Sequence, residues 1–230
     1  RGHWGSPVVS SLDIYTEGSD VELDNFIPHL RSFFMRVRVR EGVVEEARLE
    51  GISGQGRILV RIPPGAADVV LKGGVPDPLA LDIWTIEGPA QFDLKKVTKK
   101  NTTGEIVIGG LNPADPFRIR GSPSSPSFEG TLKIANTTFT WPPEETKGAA
   151  GYSLKTVGFK LNLVSGPGLV YYRTATAHTA LLNMDAGQTI IIRGRAQEGN
   201  LGGQGRIHIG SGTFPFGRAT FDVTEASLNI

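Results

Sequence analysis

Three absences narrow the classes of protein to which this chain can belong. It has no cysteine, which favours an oxidising compartment, where unpaired thiols are a liability. Its longest apolar runs, such as Leu169–Tyr172 and Ile190–Ile192, are far too short to cross a bilayer. It also has no excess of one charge, with 24 Lys and Arg against 23 Asp and Glu. Because nucleic-acid-binding proteins usually carry a basic excess, we expect no nucleic-acid partner.

Turn-forming residues and short alternating segments are what the sequence does contain. Glycine and proline account for 30 and 15 of the 230 residues, which is typical of many strands joined by tight turns. In Met35–Arg40, apolar residues alternate with arginine, so that a strand formed by this segment would have one apolar face and one cationic face. The same period recurs along the chain. Strands with a single apolar face belong to antiparallel sheets covered on one side, so the sequence predicts an all-β fold.

One stretch departs from this alternation. Five apolar residues there fall at helical spacing, namely Leu23, Phe26, Ile27, Leu30 and Phe34. They predict a short helix near residues 20–35, although Pro28 should interrupt or kink it. We therefore separate residues 1–45, with this helix and some strands, from the repetitive residues 46–230. Both parts are expected to form one continuous domain of a longer protein.

Internal repetition supports a sheet built from similar units. Gly54–Ile58 and Gly203–Ile207 have the same sequence, Gly-Gln-Gly-Arg-Ile, and each precedes an alternating strand. A strand, a glycine, a polar turn, a second glycine and another strand also occur in order at 117–134 and again at 190–209. Arrays of this kind stack their units edge to edge and share one core.

The same residues carry a resemblance to a known family. Gly205–Phe214, followed by Phe216–Val223, resembles the C-terminal region of TamB-type proteins of the AsmA-like superfamily, where glycine-containing strand units run into a Phe-Gly-Arg hairpin. Arg120–Pro126 is similar to a passage with spaced glycine and prolines that is common there. The resemblance covers residues 117–141 and 188–230, and it does not extend to residues 1–45.

This resemblance implies a fold, a location and partners. The fold would be an antiparallel or mixed sheet curled into an open trough with an apolar inside, a β-taco-like architecture. The location would be the periplasm of a diderm bacterium, and the chain would be a fragment of a parent protein anchored in the inner membrane. The partners would be an outer-membrane barrel-assembly protein and phospholipid, in transport between membranes or in outer-membrane protein assembly. Adjacent modules of the same chain would pair with the exposed strand edges.

An apolar trough would bury an acyl chain of a phospholipid or a similar ligand. Each buried methylene contributes about 0.8 kcal/mol, so a chain of ~16 carbons would gain on the order of 10 kcal/mol if fully covered. The floor of the trough is predicted from the apolar positions of the alternating strands, which are Ile58, Val60, Ile106, Ile108, Phe117, Ile119, Leu132, Ile134, Phe159, Leu161, Leu163, Ile190, Ile192, Ile207, Ile209, Phe221 and Val223.

Two other function classes remain open at this point. A closed sandwich or solenoid would bury its own apolar faces and act as a spacer, an adhesin or a carbohydrate-binding module. An enzyme is not expected, because the glycine-rich segments 51–56 and 202–205 precede strands, whereas phosphate-binding loops precede helices. The four histidines do not have metal-ligand spacing. The sequence therefore predicts no catalytic residues, no metal site and no cofactor.

Overall fold

The computed structural model describes residues 11–22, 27, 29–63, 66, 69–72, 75–93, 103–110, 114–139, 154–175, 178–216 and 219–230. Within these residues the chain forms nineteen strands, two short 3-10 turns and no α-helix. The first ten strands are β1 (Ser11–Glu22), β2 (His29–Arg40), β3 (Val43–Ser53), β4 (Gly56–Arg61), β5 (Val70–Lys72), β6 (Val75–Asp77), β7 (Leu79–Ile86), β8 (Ala90–Asp93), β9 (Thr103–Ile108) and β10 (Phe117–Ser122).

The remaining nine strands belong to the second half of the chain. They are β11 (Ser125–Ala135), β12 (Thr137–Phe139), β13 (Gly158–Ser165), β14 (Leu169–Ala175), β15 (His178–Met184), β16 (Thr189–Arg195), β17 (Gly202–Phe216), β18 (Ala219–Val223) and β19 (Ala226–Asn229). The 3-10 turns are Leu154–Thr156 and Ala196–Glu198. No helix among the described residues has the length and apolar character needed to span a bilayer.

The strands form one large mixed sheet that is not closed into a barrel. Antiparallel pairs join β1 to β2, β2 to β3, β3 to β4, β4 to β7, β7 to β10 and β10 to β11. The sheet continues through the parallel pair of β11 and β13 to β16 and β17, which are antiparallel. The predicted all-β fold with an open, curled sheet is thus confirmed. Strand β3 crosses the predicted boundary between residues 45 and 46, and residues 1–10 lie outside the described part of the chain.

In the second half, the long strands are interrupted at a common level. β12 follows β11 after Asn136, β14 follows β13 after residues 166–168, and residues 185–188 separate β15 from β16. The second pieces pair in the same order, β12 with β14 and β14 with β15. β17 spans the interruption, because it pairs with β16 before it and with β15 after it. We call this line of interruptions across the sheet the crease.

The first half of the sheet folds over itself. β9 pairs with both β8 and β11, and the β8 backbone reaches the turn between β3 and β4, where Ser53 Oγ donates to the Gln91 carbonyl oxygen at 3.1 Å. The Ile108 N–H donates to Thr85 Oγ1 at 2.9 Å and ties the end of β9 to β7. Strands β8 and β9 consequently lie across the apolar side of their neighbours.

The main core lies beneath these two strands. Its buried members are Leu30, Ile58, Ala90, Phe92, Ile106, Ile108, Phe117 and Leu161. A smaller cluster of Val39, Val44, Val69 and Ala80 forms a second core. All residues of these two clusters precede residue 165, so both clusters belong to the first half and the middle of the sheet, and Ala180 on β15 is buried outside them.

The helix predicted near residues 20–35 is wrong, because residues 29–40 form β2. β2 instead contains a β-bulge: Ser32 has a φ of 50°, and the register of β2 against β3 shifts between Arg31 and Phe34. The extra residue brings Leu30 and Phe33 onto the same core, whereas Phe34 lies opposite Glu50 on the other side of the sheet. The Ser32 N–H donates to Asp20 Oδ1 on β1 at 3.2 Å. Residues 23–26 and 28 of the predicted helix lie outside the described residues.

Candidate ligand-binding face

The strand register places the alternating apolar residues of the central strands on one face of the sheet. Phe128 on β11 lies opposite Ile119 on β10 and opposite Phe159 on β13. Leu161 on β13 in turn lies opposite Ile192 on β16. Residues that face each other across neighbouring strands project to the same side, so these side chains form a continuous surface. We call it the apolar face.

A bulge keeps the apolar face continuous along β17. Ile207 and Ile209 belong to it because Gly205, of the same alternation, lies opposite Ile190. Beyond them the register slips, since Met184 pairs with Ile209 but Asn183 pairs with Ser211. The extra residue is Gly210, where a Cβ atom would clash with Asp185 Oδ1. One inserted residue reverses the alternation, so Phe214 returns to the apolar face.

Most of the predicted trough floor is filled by the protein's own side chains. Five of the seventeen predicted residues are buried in the main core, and seven are partly buried against it. The buried ones are Ile58, Ile106, Ile108, Phe117 and Leu161, and the partly buried ones are Val60, Ile119, Leu132, Ile134, Phe159, Leu163 and Ile192. The structure therefore brings these twelve together, but around an occupied core.

The other five predicted residues lie outside that core as the described residues define it. They are Ile190, Ile207, Ile209, Phe221 and Val223. All are half-buried except Phe221, which is 54% exposed. They share the apolar face with three further exposed residues, Phe214, Leu228 and Ile230. We call these eight residues the C-terminal apolar strip.

Sequence reasoning missed part of each region. Leu228 and Ile230 follow the same alternation as the predicted residues, so their pattern could have identified them. Phe214 could not be assigned to this face, because the Gly210 bulge reverses the alternation before it. In the core, Phe92 is 4% exposed, and its alternating position marked it as apolar without showing that β8 folds over the sheet.

Glycines lie between the large residues of the strip. Gly205 is opposite Ile190, Gly203 is opposite Ile192, and Gly212 is opposite Val223. A Cβ atom on Gly203 would lie 3.3 Å from Ile230 Cγ2, so the neighbouring side chain leans over the glycine. Small residues on one face allow a sheet to curl toward that face, which favours a concave strip.

The opposite face of the sheet is charged. Eight facing residues on eight strands form one row across it, Arg36, Arg48, Arg61, Asp82, Arg118, Glu129, Lys160 and Arg193. Two depressions on this side have volumes of 510 and 310 Å³ and are lined by acidic and basic side chains together, such as Glu50 with Arg57 and Glu129 with Lys160. The central strands are thus amphipathic, with this charged row on the side opposite to the apolar face.

Among the described residues, no three His, Asp or Glu side chains are grouped so that they could hold a metal ion. The C-terminal apolar strip offers contact area without direction, which is what a flexible hydrocarbon chain requires. Comparison with known proteins adds no relative, since no protein family, no curated protein and no solved structure matches this chain.

Proposed function

We propose that the C-terminal apolar strip binds acyl chains, and that the chain is a segment of a TamB-like envelope protein that handles phospholipid. The observation that carries the proposal is the exposure of the strip: Phe214 is 45%, Phe221 54%, Leu228 55% and Ile230 51% exposed. Contiguous exposed apolar surface on a water-soluble protein usually marks a binding site.

The arrangement of these residues supports an elongated ligand. Phe214 faces Phe221 across β17 and β18, and Ile207 faces Leu228 across β17 and β19. The strip therefore follows β17 from the level of Gly205, opposite Ile190, to Phe214, which at about 3.3 Å per residue is roughly 30 Å before bending at the crease is considered. Glycines between the large side chains leave a shallow path that a hydrocarbon chain could follow.

The filled half of the sheet has a different role in this proposal. Ile119 and the other residues in or against the main core already pack on the protein's own side chains, so we assign them to the scaffold from which the strip projects. Only the part of the predicted floor from β16 onward is proposed to contact lipid. The ligand would lie on an open surface with its head group in water.

Cellular role and partners belong to the same proposal. The absence of cysteine and the resemblance of residues 117–141 and 188–230 support a periplasmic protein that works with an outer-membrane barrel-assembly protein. Among the described strands, β1 pairs only with β2, and β18 and β19 pair only with β17. These open edges support pairing with adjacent modules of the same chain.

The proposal is tested by placing one charge on either side of the same strand. Phe221→Glu introduces a carboxylate into the strip, whereas Thr220→Glu introduces the same charge at the exposed neighbouring residue, which points to the other face. Because burying a phenylalanine side chain contributes about 1.5–3 kcal/mol, Phe221→Glu should weaken binding of a fluorescent polyene fatty acid by roughly tenfold or more.

Thr220→Glu should bind the fatty acid as the unchanged protein does. Mass spectrometry of organic extracts should likewise find lipid with the unchanged protein and Thr220→Glu, and little with Phe221→Glu. Equal binding by all three proteins, or binding by none, would show that the strip is not a lipid site.

A further inference from the structure

Side chains add to the backbone hydrogen bonds that hold the crease, such as the one from the Asp185 N–H to the His208 carbonyl oxygen at 3.1 Å. Ser165 Oγ donates to the Asp185 carbonyl oxygen at 2.6 Å and accepts from the Gln188 N–H at 2.9 Å. The Gln188 side chain then reaches β17, where its Nε2 donates to the His208 carbonyl oxygen at 2.8 Å and its Oε1 accepts from the His208 N–H. One side-chain amide thus makes both bonds that a paired strand would make.

His208 stands at the centre of this line and bridges the strand breaks on both sides. Its Nδ1 lies 2.5 Å from Asp185 Oδ2, in the break between β15 and β16. Its Nε2 lies 3.1 Å from Glu225 Oε1, in the break between β18 and β19. The two contacts use opposite edges of the imidazole ring, so one side chain connects three segments that are distant in sequence.

Both contacts can be good hydrogen bonds only when the ring is doubly protonated. An imidazolium donates from both nitrogens, whereas a neutral ring has one nitrogen that can only accept. A carboxylate can only accept as well, so deprotonation turns one of the two contacts into a repulsion between lone pairs. The geometry around His208 therefore fits the charged ring and not the neutral one.

We propose that His208, hydrogen-bonded to Asp185 and Glu225, is a pH-sensitive latch that holds the edge strands β18 and β19 onto β17. When the ring loses its proton it can no longer donate to both carboxylates, so the contact to Glu225 is weakened and the edge strands detach more often. Opening frees the backbone groups of β17 between Arg206 and Phe216, to which β18 and β19 are now bonded. This inference goes beyond lipid binding and does not depend on it.

The charges around the ring favour its protonated form. Asp185 faces it from the side of β15 and β16, and Glu225 faces it from the side of β18 and β19. Arg206, two residues earlier on β17, donates from Nη2 to Ser227 Oγ at 3.1 Å. Asp222 lies on β18, opposite Thr213. The hydrogen bond to Glu225, followed by that to Asp185, raises the pKa of His208 above its ordinary value.

The direction of the pH effect follows from this raised pKa. The latch is complete below the pKa that the ring has when the edge strands are detached and only Asp185 remains beside it. It is lost as the pH rises through the higher pKa of the latched state. The edge strands should therefore be held more firmly at mildly acidic pH than at mildly alkaline pH.

Hydrogen exchange at stepwise pH tests the latch on the whole chain. After correction for intrinsic exchange, protection of the amides in residues 219–229 should fall as the pH rises. The expected fall is about tenfold for each unit by which the pKa of His208 in the latched state exceeds that in the open state. His208→Gln should remove this pH dependence, because its amide does not titrate.

A histidine at the other end of the sheet provides the matched control. His29 Nε2 lies 4.0 Å from Oδ2 of Asp20 on β1. His29→Gln should leave the pH dependence of amide protection in residues 219–229 unchanged. Should His208→Gln fail to fold, Glu225→Gln, whose side chain is exposed, should reduce the pH dependence instead. A pH-independent protection in the unchanged protein, or an unaltered dependence in His208→Gln or in a folded Glu225→Gln, would overturn the latch.

Discussion

Two copies of the same five-residue sequence have different surroundings in this protein. Gly54–Ile58 leads from a tight turn into β4, and its Ile58 is 5% exposed within the main core. Gly203–Ile207 lies inside the long strand β17, and its Ile207 is half-buried on the C-terminal apolar strip. Local sequence is identical, so the difference comes from what lies opposite each copy.

The first copy has a cover supplied by the same chain. β8 crosses over it and contributes Phe92 and Ala90 to the core that contains Ile58. The second copy lies opposite the half-buried Ile190 and Ile192 of β16 and the exposed Leu228 of β19. An alternating strand therefore specifies an apolar face, and a distant segment decides whether that face becomes a core or remains available to a ligand.

Removing the cover should give the largest effect. Phe92→Ala deletes a side chain that is 4% exposed, whereas Phe221→Ala deletes the same atoms from a position that is 54% exposed. A buried phenylalanine lost to alanine costs about 3–5 kcal/mol, and we expect less than about 1 kcal/mol for the exposed one. Urea unfolding of both variants measures the difference. Similar losses would mean that the strip is covered in solution.

The first glycine of each copy should give an intermediate effect. Gly54 has a φ of 61°, and a Cβ atom there would lie 2.7 Å from Gln91 Cγ, so Gly54→Ala should cost roughly 1–2 kcal/mol or more. Gly203 lies within a strand and would bring a Cβ atom to 3.3 Å from the exposed Ile230 side chain. We expect Gly203→Ala to change the free energy of unfolding by a few tenths of a kcal/mol. If both variants lost the same free energy of unfolding, the two glycines would not differ in their surroundings.

These contrasts show how far the sequence leads. Alternation with period two predicted the strands and the shared face of Ile119, Phe159 and Ile192, because that signal is local. Two bulges interrupt that alternation: the one at Ser32 places Phe33 rather than Phe34 on the core side with Leu30, and the one at Gly210 returns Phe214 to the apolar face. The cover over Ile58 was beyond prediction, because it depends on contacts between segments more than thirty residues apart, such as Ser53 with Gln91.

Replacing the isoleucine of each copy by valine is the smallest change, and we expect it to alter stability in the first copy and ligand affinity in the second. Ile58→Val removes one methylene from the core and should lower the free energy of unfolding by about 1 kcal/mol. Ile207→Val removes the same group from the strip, where water already reaches it, so stability should hardly change. If the strip binds an acyl chain, that methylene is buried only in the complex, and its loss should weaken fatty-acid binding about fourfold. Ile58→Val should therefore lower stability but not affinity, and Ile207→Val should lower affinity but not stability. If Ile207→Val lowered stability alone, Ile207 would belong to a core.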